Sequence, residues 1–295
     1  MNLKQILSAA LALLSFGAVQ ADKPANTIGT IVYKVDNIDR EFKFLCDNGF
    51  TSCEVQWYYD KATPELARQI KEASKKHNIK VTTLVGVPGH SEWNFINGPS
   101  TIGLVPAEGR EAKLVELAAM IDFAVAADIP AVHTHFGFIP EDPSSQQYKD
   151  FIEAVKPLAT YARNRGRMIY FETGQETPVT LRRAIRDIGT DNLGINCDVA
   201  NLMMYGKANP VDAIRQFGPL VKELHAKDGC YPTDPSYLGA EKPIPEGDVD
   251  FPGVIRELKK IGFNGAYTIE YELTGDSRDY LVKTRLYLQD LINKQ

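Results

Sequence analysis

The stretch "MIYFETGQETPVTLRRAIRDIGTDNLGINCDVAN", Met168 to Asn201, reads as one complete structural unit. Met168–Gly174 is a short run of apolar and aromatic residues, the composition of a buried strand. Thr177-Pro178 then sets a capping residue before a proline at the first helical position, which opens the amphipathic segment Pro178–Ile188. Gly189 stops that helix, and Leu193–Asn201 is a second apolar run. Strand, helix and strand follow within one short span, as in a βαβ unit.

The same pattern extends in both directions. Strand-like runs occupy Thr27–Val35, Thr51–Trp57, Lys80–Val87 and Ala131–Gly137 on one side, and Val221–Asp228 and Ala266–Glu272 on the other. Helical segments alternate with them: Ile38–Asn48, Pro64–His77, Arg110–Ala127, Tyr148–Arg165, Pro210–Phe217, Pro252–Ile261 and Arg278–Ile292. Thr63-Pro64 and Asn209-Pro210 repeat the cap-and-proline start, and Gly49, Gly166 and Gly262 repeat the glycine stop. Eight βα units without a break in composition predict an α/β single-domain (β/α)8 TIM barrel. An open doubly wound sheet is the alternative, but no GxGxxG follows the first strand.

The 295 residues carry 44% hydrophobic side chains, enough for a full-sized core, and a net charge of −5. No basic run is present to neutralise a phosphate backbone, so no nucleic-acid partner is expected. Residues 1–21 have the grammar of a secretory signal peptide: Lys4, the apolar Ile6–Leu14, and Val19-Gln20-Ala21 before a cleavage point. The barrel domain is then 22–295, secreted, periplasmic if the organism is Gram-negative, with no membrane attachment after cleavage. Cys46, Cys53, Cys197 and Cys230 form no CxxC pair and are expected free, or paired once at most.

A barrel of this kind places its chemistry at the carboxyl ends of its strands. Two loops at that end are long, Pro88–Gly109 and Gly229–Asp250. Strand five ends at Glu172, strand six delivers Asp198, strand seven His225 and strand eight Glu270. Three carboxylates crowded together repel one another, and a divalent cation resolves that repulsion. Mn2+ is favoured by the carboxylate majority, over Mg2+, Co2+ and Zn2+. The plain alternative is four polar residues satisfied by hydrogen bonds. A metal chelating a carbonyl and its neighbouring hydroxyl would acidify the C–H between them, with Glu172 and Glu270 as acid and base on opposite faces. His133 and His135, two apart on strand four, face the same way and either bind substrate or are core histidines. Lys227 either steadies developing negative charge or pairs with Asp228 or Glu246. His90 and Trp93 sit on a long loop that could close over a sugar ring. Glu54 is read as structural and His77 as solvated.

The motifs "FETG", "CDVAN", "HAKDG", "PEGDVDF" and "TIEYE" resemble the xylose isomerase-like barrel superfamily, from the first strand to the last helix. The resemblance implies a metal held by Glu172, Asp198, His225 and Glu270, a small-molecule carbohydrate substrate, and isomerase or epimerase activity through an enediolate. Homodimers are frequent in that family, so a homodimer is carried over as an expectation. Where ketose epimerases of the family place a histidine three residues after the strand-six aspartate, this chain has Asn201, a candidate substrate contact. Where relatives carry an arginine soon after the strand-seven histidine, this chain reads Asp228-Gly229-Cys230-Tyr231, and no phosphate cradle is visible. A non-phosphorylated sugar is therefore expected. Relatives also include lyases of 3-keto-glycosides, which use the same first step and then eliminate the C1 substituent. A non-catalytic carbohydrate-binding protein, stacking sugars on Trp57, Tyr58, Tyr59 and Trp93, is a lower alternative. A DNA endonuclease of the related multi-metal type would need more than the five histidines present.

Overall fold

The computed structural model describes residues 27–273 and 277–295. The expected signal segment, 1–21, lies outside the described residues. Eight parallel strands close into a barrel: β1 (Ile28–Val32), β2 (Ser52–Gln56), β3 (Lys80–Val85), β4 (Ala131–Thr134), β5 (Met168–Glu172), β6 (Leu193–Asp198), β7 (Val221–Ala226) and β8 (Tyr267–Ile269). Each strand pairs with the next. The seam is closed by β8 against β1, in the register Ile28 to Tyr267, Gly29 to Thr268 and Thr30 to Ile269. The Thr30 hydroxyl braces it by donating to the Ile269 carbonyl at 2.8 Å.

The helices outside are α1 (Ile38–Asp47), α2 (Pro64–His77), α3 (Arg110–Ala126), α4 (Gln146–Arg163), α5 (Pro178–Ile188), α6 (Pro210–Phe217), α7 (Phe251–Lys260) and α8 (Arg278–Lys294). Each turns at least one side chain fully into the layer between helix and barrel, among them Phe42, Ile70, Phe151, Ile214 and Leu288, all 0% exposed. Burying each such side chain contributes roughly 1.5–3 kcal/mol. Thr63 and Asn209 cap their helices as expected, accepting from Leu66 N at 3.1 Å and Val211 N at 3.0 Å. Thr177 does not cap α5, because its hydroxyl bonds Glu141 instead. Among the described residues no helix is long and apolar enough to cross a membrane, and all four cysteines are free. His77 is not solvated: its ring folds onto Asp39 at 2.8 Å with 10% of the side chain exposed.

Strand six is shorter than expected. It ends at Asp198, whose Oδ1 accepts the amides of Ala200 at 2.8 Å and Asn201 at 2.9 Å and caps a short helix, Val199–Met204. Asn201 therefore lies on a helix rather than in a strand.

The barrel interior departs from the usual apolar layers. Ser52, Thr83, Asn196, Glu223 and Thr268 are all buried there, two residues below or level with the strand ends that carry the candidate site. Thr83 donates to the Glu223 carboxyl. Tyr170 crosses the space above Gly194, where a Cβ would come 2.9 Å from its ring.

Both long loops are anchored. Lys113, 7% exposed, donates to the carbonyls of Thr101 and Gly103, the latter at 3.1 Å. Gly103, at φ 69°, lies so close to strand four's exit that a Cβ would stand 2.1 Å from the Phe136 carbonyl carbon. In the loop after β7, Asp228 accepts the amides of Gly229, Gly247 and Val249 at 2.8, 2.9 and 3.1 Å. That is the structural role of "DG" and "PEGDV". The Phe95 amide donates to the Ser236 carbonyl at 3.1 Å, joining the two loops over the barrel mouth.

Candidate active site

Four consecutive strand ends converge at the mouth. Ligand-type atoms of Glu172, Asp198, His225 and Glu270 all lie within 4.8 Å of one another, and all four residues are buried. His225 Nδ1 is 2.7 Å from Glu270 Oε2 and 3.1 Å from Glu172 Oε1. Neither His225 Nδ1 nor Glu270 Oε2 has a hydrogen-bond partner, although both are buried, and Asp198 Oδ2 is equally unpartnered. A ring nitrogen and a carboxylate oxygen that approach this closely without a hydrogen bond are directed at a common point. The donor set, three carboxylates and one imidazole, fits a divalent ion there.

The electrostatics agree. Burial pushes the Asp198 carboxyl well above the usual carboxylate range, with Glu270 adding to the effect and Lys227 opposing it. Burial would raise Glu270 too, but Lys227 and His225 beside it hold its carboxyl down to about 2. Glu172 is likewise below the ordinary range, since His135 and His225 outweigh its burial. Lys227 Nζ lies 3.4 Å from Glu270 Oε1 and 2.5 Å from Glu272 Oε2, rather than beside Asp228 or Glu246.

Above the cluster is a cleft of about 550 Å3 whose lining includes Trp93, His135, Glu172, Asn201, Lys227 and Glu270. Trp93, 45% exposed, stands edge-on to His135 with ring centres 5.0 Å apart. Of the stacking aromatics named above, Trp57, Tyr58 and Tyr59 are not in this wall.

Two expected substrate contacts are placed elsewhere. His90 is 79% exposed, 3.7 Å from Glu92, and does not line the cleft, because the loop turns its side chain to solvent. His133 is 0% exposed, beneath the cluster, with Nδ1 3.2 Å from Glu54 Oε2 and Nε2 3.3 Å from Glu172 Oε2. Both ring nitrogens face carboxylate oxygens, and neither approach has hydrogen-bond geometry. Burial opposes charge on the ring, but Glu54 and Glu172 raise its pKa to about 10. The ring lies beneath the cluster and does not line the cleft.

The sequence reading took Glu54 as structural and passed over Gln175 and Tyr205. Gln175 Oε1 lies 3.2 Å from His135 Nδ1, and Tyr205 forms part of the cleft wall. Strand alternation is the signal that could have placed Glu54 on the inner face, two residues beyond Ser52. Gln175 and Tyr205 lie on loop and short-helix segments with no such periodicity.

A family model described as xylose isomerase-like TIM barrel matches residues 42–291. A crystal structure of a xylose isomerase domain protein from Planctomyces limnophilus is 30% identical, with a TM-score of 0.84 over 92% of this chain and 98% of that one. The 2-oxo-tetronate isomerase of Haemophilus influenzae is 27% identical over 260 residues, 83% of this chain and 91% of that protein. A structure of L-ribulose 3-epimerase shares the fold, with a TM-score of 0.72 at 17% identity, covering 91% of this chain and 95% of that one.

Proposed function

The chain belongs to the xylose isomerase-like TIM barrel family, and from that premise we propose a divalent-metal-dependent isomerase or epimerase of a non-phosphorylated sugar. The observation that carries the reading is the convergence of Glu172, Asp198, His225 and Glu270 within 4.8 Å at the floor of a cleft. Those four residues would hold the ion, Mn2+ by our reading of the carboxylate majority. A divalent ion bound there supplies the positive charge that acidifies a C–H beside a carbonyl and stabilises the resulting enediolate.

The chain's own groups do the rest. Glu172 and Glu270 stand on strands separated by two others, so one can remove the proton and the other return it. His133 and His135 hold Glu172 through ring nitrogens at 3.3 and 3.1 Å. Lys227 engages Oε1 of Glu270, leaving Oε2 to face the cluster. Asn201, His135 and Lys227 are among the polar groups of the cleft available to sugar hydroxyls, with Trp93 as an apolar wall. A phosphate would find no arginine in the cleft, and Lys227 is already matched by Glu270 and Glu272.

The cleft's size favours a second reading. About 550 Å3 falls within the ~300–1,000 Å3 of sites that enclose drug-sized ligands, and Val87, Met204 and Leu238 add apolar wall that a bare sugar does not need. A 3-keto-glycoside would use it. Removal of its C2 proton is followed by formation of the C1–C2 double bond, and the aglycone leaves C1 with the bonding pair.

The test is proton NMR in D2O with metal-loaded protein, offered a free ketohexose or a 3-keto-glucoside. Deuterium entry with conversion to an epimer or aldose supports the isomerase; release of aglycone supports the lyase. Glu172→Gln should slow either by about 10²–10⁴. No deuterium in either substrate, with and without metal, would sink both and leave the carbohydrate-binding alternative.

A further inference from the structure

Glu54 is a fully enclosed carboxylate beneath the site. It is 0% exposed, comes from β2 on the far side of the barrel, and directly follows a register shift between β2 and β3. Such a shift re-aims the side chain that follows it. Its oxygens meet two ring nitrogens: His225 Nε2 at 3.2 and 3.3 Å, and His133 Nδ1 at 3.2 Å. An isolated buried carboxylate would cost several kcal/mol, so these contacts are what permit it.

We propose that Glu54 is a positioning residue for the metal centre, acting on His225 directly and on Glu172 through His133. The inference rests on the metal-dependent reading above and assigns a role to a side chain that touches neither ion nor substrate. A carboxylate only accepts, so His225 Nε2 carries the proton and its lone pair is on Nδ1. Nδ1 is the nitrogen that faces Glu172 and Glu270 in the cluster. Glu54 thereby fixes both the tautomer and the tilt of the one nitrogen donor in the set. His133 stands between the same carboxylate and Glu172, with Nδ1 3.2 Å from Glu54 Oε2 and Nε2 3.3 Å from Glu172 Oε2. A carboxylate–imidazole–metal arrangement of this kind typically improves metal affinity about 10–100-fold.

Glu223 supplies the contrast. It is also buried inside the barrel and feels the charges of Glu54 and His133, yet its hydrogen bond comes from Thr83 and no hydrogen bond or ion pair to either histidine occurs among the described residues. A rival reading makes Glu54, His133 and His225, whose ligand-type atoms also lie within 4.8 Å, a second cation site. That would require His225 to bind through both nitrogens, one to each ion.

Calorimetry on the apo full chain with Mn2+ or Co2+ tests the proposal. Glu54→Gln should weaken binding about 10–100-fold, keep one ion per chain, and shift the visible Co2+ spectrum; Glu223→Gln should leave all three unchanged. In the unmutated protein, long-range 1H–15N spectra should show His225 Nδ1 moving on addition of Zn2+ while Nε2 stays protonated. That measurement decides the matter if Glu54→Gln fails to fold. Unchanged affinity and spectrum in Glu54→Gln, movement of Nε2 instead of Nδ1, or a second ion lost in Glu54→Gln would each overturn the inference. Absence of any divalent binding by the wild type would overturn the metal-dependent reading itself.

Discussion

Asp198 divides its two oxygens between tasks, and substitution can separate them. Oδ1 caps the Val199–Met204 helix, whereas Oδ2 has no partner and faces the cluster. Asp198→Asn keeps the capping oxygen and Asp198→Ala does not. Both should abolish tight metal binding by calorimetry, while thermal melts of the apo proteins should place Ala about 1 kcal/mol below Asn. Glu176 makes a separate prediction. It is 3% exposed, and burial raises its carboxyl to about 8. The folded state therefore binds its proton more tightly than the unfolded state does, which favours folding at low pH. That contribution is complete below the ordinary glutamate range near 4.5 and is lost as pH rises through about 8. Relative to Glu176→Gln, the wild type should lose melting temperature between those values, at about 2–4 °C per kcal/mol. Equal melting curves across that window would refute it. At this scale the four cluster residues were legible because each stands at the end of a recognisable strand. Glu54 was read only as structural, because nothing in one strand's sequence shows which residues meet it across a barrel. His90 looked equivalent to Trp93 because both sit on one loop, and only the loop's path separates them.

Elements were legible where local chemistry is decisive. Thr63 and Asn209 start helices because their side chains reach the exposed amides of the first turn, and proline fixes the backbone after them. Thr177 carries the same signal, but a distant carboxylate, Glu141, takes its hydroxyl. Strand six was overrun because "CDVAN" is apolar on both sides of Asp198, so composition alone does not mark the change to helix. The loop Pro88–Gly109 depends on a side chain outside it. Lys113→Met removes the donor to Thr101 and Gly103, leaving buried carbonyls unmet at about 1–3 kcal/mol. Limited proteolysis should then cut within residues 88–109 several-fold faster, and KM should rise more than kcat falls, since Trp93 rides on that loop. Unchanged cleavage would show that the Gly103–Phe136 contact suffices.

For the molecule as a whole, the barrel was predictable from eight repeats of one unit, whereas its polar interior was not. Inward positions such as Asn196 and Glu223 sit in runs that read as apolar strands. Burial raises the Glu223 carboxyl to about 7, so the fold carries a group it would be more stable without. Replacing Thr83 and Glu223 together by Val and Leu should stabilise the apo protein by about 1–4 kcal/mol in denaturant melts. Metal affinity should remain within about twofold, because neither residue belongs to the cluster. Destabilisation would mean that the Thr83–Glu223 pair is needed to shape the barrel.

The seam between β1 and β8 joins residues 239 positions apart, whereas Glu172, Asp198, His225 and Glu270 come from one contiguous arc, β5 to β8. Contacts within the arc close shorter loops than the seam does, which favours their formation first. The same holds for β1 to β4, so each half can pair its own strands before the seam closes. All four candidate donors come from the second half, whereas Glu54 and His133 come from the first. On the metal-dependent reading, final affinity therefore reports how well the two halves of the chain have docked.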